Sequence, residues 1–435
     1  RERDYAYVGS FYAFAIWIGL GVMAIIEKLR NYSPENIAAI ATTVICLAAV
    51  PGIMASEGWD DHNRSKRYTA RDFAKAYLDS CEPDAILFTM GDNDTFPLWY
   101  VQEVEGYRTD VRIVNLSLLN TDWYIDQMKR DAYDGKGVPF TMPHNLYRQG
   151  TRDQAIYKDV GASDQRWEIS KMNRWIQSDL AQTKVNYGGK DYVFFPTKKF
   201  SIPVDKEKVL ANGTVKQENA DLILPNLNWT LPEKITSMEK KHMLILDMID
   251  NNNWERPIYF SITIGNSARS YTYLWDYFQL DGLAYRLVPI KTKSQPGRIG
   301  RIESDILYTS LMERFEYGNM NGAEVYLDET NLRLVMNIRN NFSRLADKLI
   351  LEGDSAAAIK VLDKCLELMP NEKVEYNFFV LPMLENYYEC KEKEKARAII
   401  ATIAQNLEEK LNYYNQFDQN KDVKNEKQRS LSMYN

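Results

Sequence analysis

Two long runs without charge near the start of this 435-residue chain constrain its folding more than any other feature. No charged side chain occurs from Tyr5 to Ile26, and none occurs from Asn36 to Ser56. A helix of ~20 residues crosses the ~30 Å hydrocarbon core of a bilayer, so both runs are long enough. The alternative is a signal peptide followed by a buried helix, but the first run exceeds a signal core and a second run follows at once. We therefore predict two transmembrane helices within residues 1–57.

Basic residues flank these runs on both sides, so charge alone leaves the orientation in the membrane open. Lys28 and Arg30 lie in the short loop between the runs, while Arg64, Lys66 and Arg67 follow the second run. The rule that cytoplasmic loops carry the excess of lysine and arginine therefore does not choose a side. Because the chain begins with arginine rather than methionine, we also expect further sequence upstream.

Composition excludes some classes of function. The net charge of −6 and a pI near 5.5 do not favour nucleic-acid binding. The four cysteines show no CxxC spacing, and the three histidines lie far apart in the chain. This pattern predicts neither a zinc site nor any other metal site.

Residues 58–330 follow the pattern of a soluble α/β domain with a mainly parallel sheet. Short apolar runs at Ala85–Met90, Val111–Leu119 and Pro257–Ile264 have the composition of buried strands. Segments with helical spacing follow the first two runs, as in strand–helix–strand units. The stretch at about 134–228 is punctuated by proline and glycine, and it reads as an irregular insertion.

The C-terminal part, residues 331–415, has the spacing of a tetratricopeptide (TPR) repeat. Small residues at Ala346 and Ala358 would let two helices approach closely, Gly353 would form the turn, and Pro370 would end the second helix. A less regular helix pair follows. Residues 416–435 are charged and polar, and we predict that they form a polar tail.

Polar side chains follow the first two predicted strands directly. Ligands of parallel α/β sheets bind beyond the carboxyl ends of the strands. Carboxylates there would bind sugar hydroxyls or a divalent cation, and an indole would stack on a sugar ring. The plainer interpretation is that these residues only cap the following helices, and capping and binding are compatible. The candidate ligand-binding residues are Asp92, Asp94, Asn120, Asp122 and Trp123. No catalytic residue is predicted.

The segments ILFTMGDNDTFPLWYVQEVEGYRTDVRIVNLSLLNTDWYIDQMK and DYFQLDGLAYRLVPIK, together with YVGSFYAFAIWIGLGV, carry a resemblance to a known family. They resemble the C-terminal half of a bacterial multi-spanning membrane family of GT-C type, glycosyltransferase family 117. That family is related to the animal transmembrane O-mannosyltransferase that acts on plexin-type domains. The resemblance extends over nearly the whole chain.

The resemblance implies O-mannosyl transfer from a polyprenyl-phosphate sugar donor to serine or threonine of exported acceptor proteins. The soluble region would be periplasmic, anchored in the lipid of the bacterial inner membrane, and would bind or position the acceptor. The catalytic acid of GT-C enzymes lies on an early outer loop, so it is expected outside this chain. No cofactor within the chain is implied.

Two other hypotheses remain open. In the first, the chain is a non-enzymatic membrane-anchored TPR scaffold that binds a peptide or protein partner during envelope assembly. In the second, the α/β domain performs metal-dependent sugar chemistry at Asp92 and Asp94. The sugar, the acceptor motif and the oligomeric state are not determined by the sequence.

Overall fold

The computed structural model describes residues 4–267, 273–294, 298–417 and 421–434. The chain forms two compact units. One consists of Arg1–Arg67 and Gly322–Glu329, and the other consists of Tyr68–Asn321 and Thr330–Asn435.

The first unit contains two helical stretches that are long and apolar enough to cross a membrane. They cover Tyr5–Leu29 and Glu35–Trp59, with 25 residues each. The second stretch changes to a wider π-helical turn at Ala48–Gly52, where Pro51 has no N–H to continue the α-helical bonding. The sequence prediction of two apolar spanning helices is confirmed at this level. The helices are α1 (Val8–Leu29), α2 (Glu35–Leu47) and α3 (Ile53–His62).

The second unit begins with a helix, and two strand–helix units follow it, as the sequence predicted. Every residue of the first two strands is buried, which explains why their apolar residues follow one another rather than alternate with exposed polar ones. The elements are α4 (Thr69–Asp79), β1 (Ile86–Thr89), α5 (Asp92–Glu103), β2 (Arg112–Asn115) and α6 (Asp122–Met128).

Short strands and helices occupy much of the segment for which the sequence predicted an irregular insertion. The strands have three to six residues, and several of their partners lie far along the chain, so sequence periodicity gives little signal. The elements are α7 (His144–Tyr147), β3 (Gln154–Tyr157), β4 (Arg166–Glu168), α8 (Ile169–Gln177), β5 (Lys184–Tyr187), β6 (Lys190–Phe195), β7 (Lys199–Pro203), α9 (Lys206–Ala211), β8 (Asn226–Thr230) and β9 (Ser237–Glu239).

The chain then returns to the first sheet. The elements here are α10 (Lys240–Asn252), β10 (Ile258–Ser261), β11 (Phe278–Leu280), β12 (Ala284–Leu287) and α11 (Ser304–Tyr308). The main sheet has the order β11-β12-β10-β1-β2, and two smaller sheets have the orders β5-β6-β3-β9 and β4-β7-β8. The core of the unit lies around the buried strands of the main sheet.

The main sheet is mixed, so the prediction of a mainly parallel sheet is wrong in part. β1 runs parallel to β2 and β10, but β12 is antiparallel to both β10 and β11. Three residues separate β11 from β12, and a parallel connection needs a crossover of a dozen or more. Gly282 in this turn has φ +134°, and a Cβ atom there would lie 2.4 Å from Ser80 Oγ. The turn therefore requires glycine.

The C-terminal region is helical and contacts the α/β part directly. Asn341 Nδ2 donates to Gly282 O at 2.8 Å, and Arg344 Nη2 donates to Gly300 O at 2.7 Å. The segment predicted as a polar tail is helical over residues 421–434, since lysine, glutamate, glutamine and arginine are good helix formers. The TPR assignment stays a prediction. The helices are α12 (Glu329–Leu351), α13 (Ser355–Leu368), α14 (Leu381–Glu389), α15 (Lys393–Tyr414) and α16 (Lys421–Tyr434).

Candidate functional site

The loop after β1 is organised around the carboxylate of Asp94. This side chain is buried, and its oxygens accept four hydrogen bonds. Oδ1 accepts from the Gly91 N–H at 3.0 Å, and Oδ2 accepts from the Met90 N–H at 3.2 Å. Ser261 Oγ and Thr263 Oγ1 donate to Oδ2 at 3.1 Å and 2.5 Å. Asp94 thus connects the carboxyl end of β1 to the carboxyl end of β10.

A buried polar network continues from this carboxylate into the sheet. Thr89 Oγ1 and Thr95 Oγ1 lie 2.7 Å apart, and Asn115 Nδ2 donates to Thr95 Oγ1 at 2.9 Å. The pKa of the buried Tyr77 hydroxyl is raised, first by burial and then by the charge of Asp94. These contacts join the loop to the sheet, and the Asp94 oxygens are occupied by protein donors. Asp94 is therefore placed as a structural residue.

Asp92 lies in the first turn of α5 and is exposed. A carboxylate at this position interacts favourably with the partial positive charge of the helix N-terminus. Among the described residues, no three histidine, cysteine, aspartate or glutamate side chains converge as metal ligands would. The Asp94 oxygens already accept four hydrogen bonds from the protein. These bonds weigh against the hypothesis of a metal held by Asp92 and Asp94.

The loop after β2 is more open. Asp122 begins α6, and its Oδ1 accepts from the Trp123 N–H at 2.9 Å. The backbone N–H of Gln149 and that of Trp123 lower the pKa of the Asp122 carboxyl, in that order of effect. The Trp123 side chain is 55% exposed, and its ring meets Tyr124 edge to face at 5.5 Å. More than half of the Trp123 surface is thus accessible to a ligand beside the Asp122 carboxylate.

Asn120 connects this open loop to the start of α10. Its Nδ2 donates to Glu239 Oε2 at 3.0 Å, and its Oδ1 accepts from the Lys241 N–H at 3.1 Å. Partial burial acts to raise the pKa of Glu239, but hydrogen bonds from Lys241 and Asn120 outweigh it and lower the value. Asn120 therefore has a structural role in addition to its position at the strand end.

The start of α10 holds lysines where the helix dipole disfavours them. Each has an acidic partner: Lys240 Nζ lies 3.0 Å from Asp153 Oδ1, and Lys241 Nζ lies 2.8 Å from Glu239 Oε2. Both lysine side chains are almost fully buried. The pairs compensate the buried charge, so this helix start is close to neutral.

His242 was not among the predicted site residues, although it lies at the same helix start. Its Nδ1 accepts from the Glu239 N–H at 2.9 Å, and burial lowers its pKa to about 4. The ring is therefore neutral near pH 7, and its proton is on Nε2. His242 and Glu239 border a cavity of about 160 Å³ whose walls include Phe200, Trp229 and Leu246. No local motif marks this cavity, because β7, β8 and α10 each contribute to it.

The two predicted loops are neighbours but face different partners. Ser117 Oγ donates to Met90 O at 2.8 Å, which joins them at the sheet edge. Asp94 is directed toward β10, whereas Asn120 is directed toward α10. Within the described part of the chain, no hydrogen bond joins Asp92 or Asp94 to Asn120, Asp122 or Trp123. The candidate site is therefore the open loop at 120–123 with Glu239 and His242, rather than both loops together.

Comparison with known proteins gives one match. A family model described as TMEM260-associated domain 2 matches residues 70–306, which is more than half of the chain. No curated protein and no solved structure matches. The matched residues include all five strands of the main sheet, both smaller sheets and every predicted site residue. The chain belongs to the family defined by TMEM260-associated domain 2.

Proposed function

We propose that this chain is the membrane-anchored acceptor-binding part of a protein O-glycosyltransferase. The full protein would transfer mannose from a polyprenyl-phosphate donor to serine or threonine of exported proteins, with the α/β domain in the periplasm. The observation that carries the proposal is the family match across residues 70–306, which directly follows two helices apolar enough to cross a membrane. This combination agrees with the resemblance to GT-C membrane glycosyltransferases of family 117.

The geometry of the candidate site supports binding rather than bond cleavage by this domain. Asp94 donates nothing and already accepts four protein hydrogen bonds. The open loop offers Trp123, Asp122 and, beyond Asn120, the carboxylate of Glu239. An exposed indole with adjacent carboxylates suits a polypeptide or glycan surface, since aromatic side chains provide much of the contact energy in recognition. The donor and the catalytic acid are assigned to the membrane region of the whole protein.

The experiment is a transfer assay in proteoliposomes with labelled mannose on polyprenyl phosphate and a periplasmic acceptor protein. The full-length protein and this chain are assayed in parallel, together with full-length Trp123→Ala. We expect activity in the full-length protein, none in this chain, and a raised acceptor KM with unchanged donor KM in the variant. Activity of this chain alone would contradict the assignment of the chemistry to the membrane region.

A second candidate function is a scaffold that binds a peptide partner through the C-terminal helices. The observation in its favour is a groove of about 430 Å³ lined by polar and aromatic residues: Asn371, Glu375, Asn406, Lys410, Tyr413 and Tyr414. Full-length protein that is inactive with all donors and acceptors, yet retains a peptide partner lost in Tyr413→Ala, would favour the scaffold.

A further inference from the structure

Helix α5 is buried along one face, and a row of large apolar side chains stays exposed on its other side. Thr95, Leu98 and Val101 are buried against the domain. On the other side Phe96, Tyr100 and the residue that caps the helix C-terminus, Val104, are 52%, 48% and 68% exposed, at spacings of four residues that place them in one row. We call these three residues the outer row. A row of large apolar side chains left exposed on a helix is expected to have a partner.

The composition of the outer row suits a membrane–water boundary. The ring of Phe96 stacks on Trp99 at 5.4 Å, so phenylalanine, tryptophan and tyrosine are adjacent here. Aromatic side chains with one polar end are enriched at the headgroup level of membranes. No lysine or arginine occurs from Asp92 to Glu105, so attraction to anionic lipid would not drive the contact. Insertion of apolar groups would drive it.

The covalent connection to the membrane also limits the choice of partner. Residues 63–68 join the end of α3 to the start of α4, and six residues at ~3.3–3.6 Å each reach at most about 22 Å. Arg71 Nε and Lys75 Nζ of α4 lie 2.7 Å and 2.6 Å from Glu105, the residue after Val104. The C-terminal end of the outer row thus lies beside α4, which is the element that this short linker joins to the second apolar helix.

From the row, its aromatic composition and the short tether, we infer that the outer row of α5 contacts the interfacial region of the lipid bilayer. The contact would sit at the depth of amphipathic interfacial groups, within ~5–10 Å of the headgroup boundary. It would restrict the orientation of the α/β domain at the membrane surface. This inference does not depend on the glycosyltransferase proposal.

The test places a fluorescent reporter on the outer row of the full chain in vesicles of phosphatidylethanolamine with a minority of phosphatidylglycerol. Cys46 and Cys390 are replaced by serine, and the buried Cys81 and Cys365 are retained because they are shielded from labelling. Tyr100→Cys carries an environment-sensitive dye, and Val104→Cys is a second reporter should the first variant fold poorly. Leu351→Cys is the matched control, since Leu351 is 83% exposed near the end of a different helix.

We expect nitroxide lipids labelled at the headgroup or upper acyl chain to quench the outer-row dye several-fold more than the Leu351 dye. Equal quenching at the two positions would overturn the inference. Shielding of the outer-row dye from aqueous iodide without lipid quenching would also overturn it, because the row would then face a protein.

Discussion

The loops after β1 and β2 look alike in sequence but differ in the structure. Each follows a buried strand, carries acidic and amide side chains, and leads into a helix. In the first loop Asp94 is buried under four hydrogen bonds from two strand ends. In the second loop Trp123 is more than half exposed, and Asp122 bonds only to backbone N–H groups among its described partners.

The comparison shows that the role of a polar residue at a strand end depends on the neighbouring strand in the sheet. If that strand supplies hydrogen-bond donors, the residue is structural; if it does not, the residue stays accessible to a ligand. β10 supplies Ser261, and Thr263 follows it, so both place hydroxyls against the first loop. The second loop follows β2, which is the edge strand of the sheet and has no neighbour on its outer side. Its polar groups therefore remain available to a ligand or to α10.

The largest effect is expected for Asp94→Ala. Four donors would lose their acceptor in a buried site, so we expect a loss of roughly 2–4 kcal/mol in the free energy of unfolding. Urea denaturation of the detergent-purified protein measures it. Asp92→Ala is the control, with an expected loss of about 0.3–1 kcal/mol from the helix dipole alone. Equal losses in the two variants would remove the distinction between the buried and the exposed carboxylate.

The next effect concerns pH and His242. Its pKa is lowered from 6.5 to about 4 in the folded chain, so the unfolded chain binds the proton more readily. The stability from the neutral ring is therefore present above pH 6.5 and is lost as the pH falls toward 4, by about 1–3 kcal/mol.

Unfolding measured across this range should show a shallower pH dependence in His242→Gln, which keeps an acceptor for the Glu239 N–H but does not titrate. His144→Gln is the control, because His144 has a half-exposed side chain on a different helix. An unchanged slope in His242→Gln would show that this ring does not contribute to acid sensitivity.

A smaller effect is expected for Asn120→Ala, which removes the hydrogen bonds to Glu239 and to the Lys241 N–H. The loss should be about 1–2 kcal/mol, because both contacts are partly solvated. Asn120→Asp keeps an acceptor for the Lys241 N–H but places a second negative charge beside Glu239. Denaturation should find it no more stable than the alanine variant; a stability like that of the wild type would contradict the described contact.

Trp123→Ala should have the smallest effect on stability, below about 1 kcal/mol, since most of the ring is already in water. If the open loop binds an acceptor, the same change should weaken acceptor affinity about tenfold or more, as aromatic contact residues often do. Acceptor titration with the detergent-purified full-length protein measures this, and Trp123→Phe should retain part of the affinity. Unchanged acceptor affinity in Trp123→Ala would show that the acceptor does not bind at this loop.

Much of the fold was predictable from local patterns. The apolar runs at 85–90, 111–119 and 257–264 contain β1, β2 and β10, because strands buried on both faces are rich in consecutive apolar residues. The antiparallel direction of β12 was not predicted, because the apolar sequence of a strand does not indicate which strand it pairs with. The pairing of the short strands in the two smaller sheets was also not predicted, because several of their partners are distant segments.

The candidate site was predictable only in part. Asp92, Asp94, Asn120, Asp122 and Trp123 all lie at the carboxyl edge of the main sheet, as their positions after apolar runs indicated. Glu239 and His242 could not be predicted, because Glu239 lies 119 residues from its partner Asn120.

Local sequence was sufficient to predict the two apolar helices, the buried strands and the residues at the strand ends. The length of an apolar run and the residues that cap a helix depend only on neighbouring residues. Tertiary structure decided which polar residues are free. Ser261 and Thr263 reach Asp94 across a separation of 167 and 169 residues, and they convert a plausible ligand into a buried acceptor. Hydrogen bonding depends on distance in space, so only the folded chain separates the closed loop from the open one.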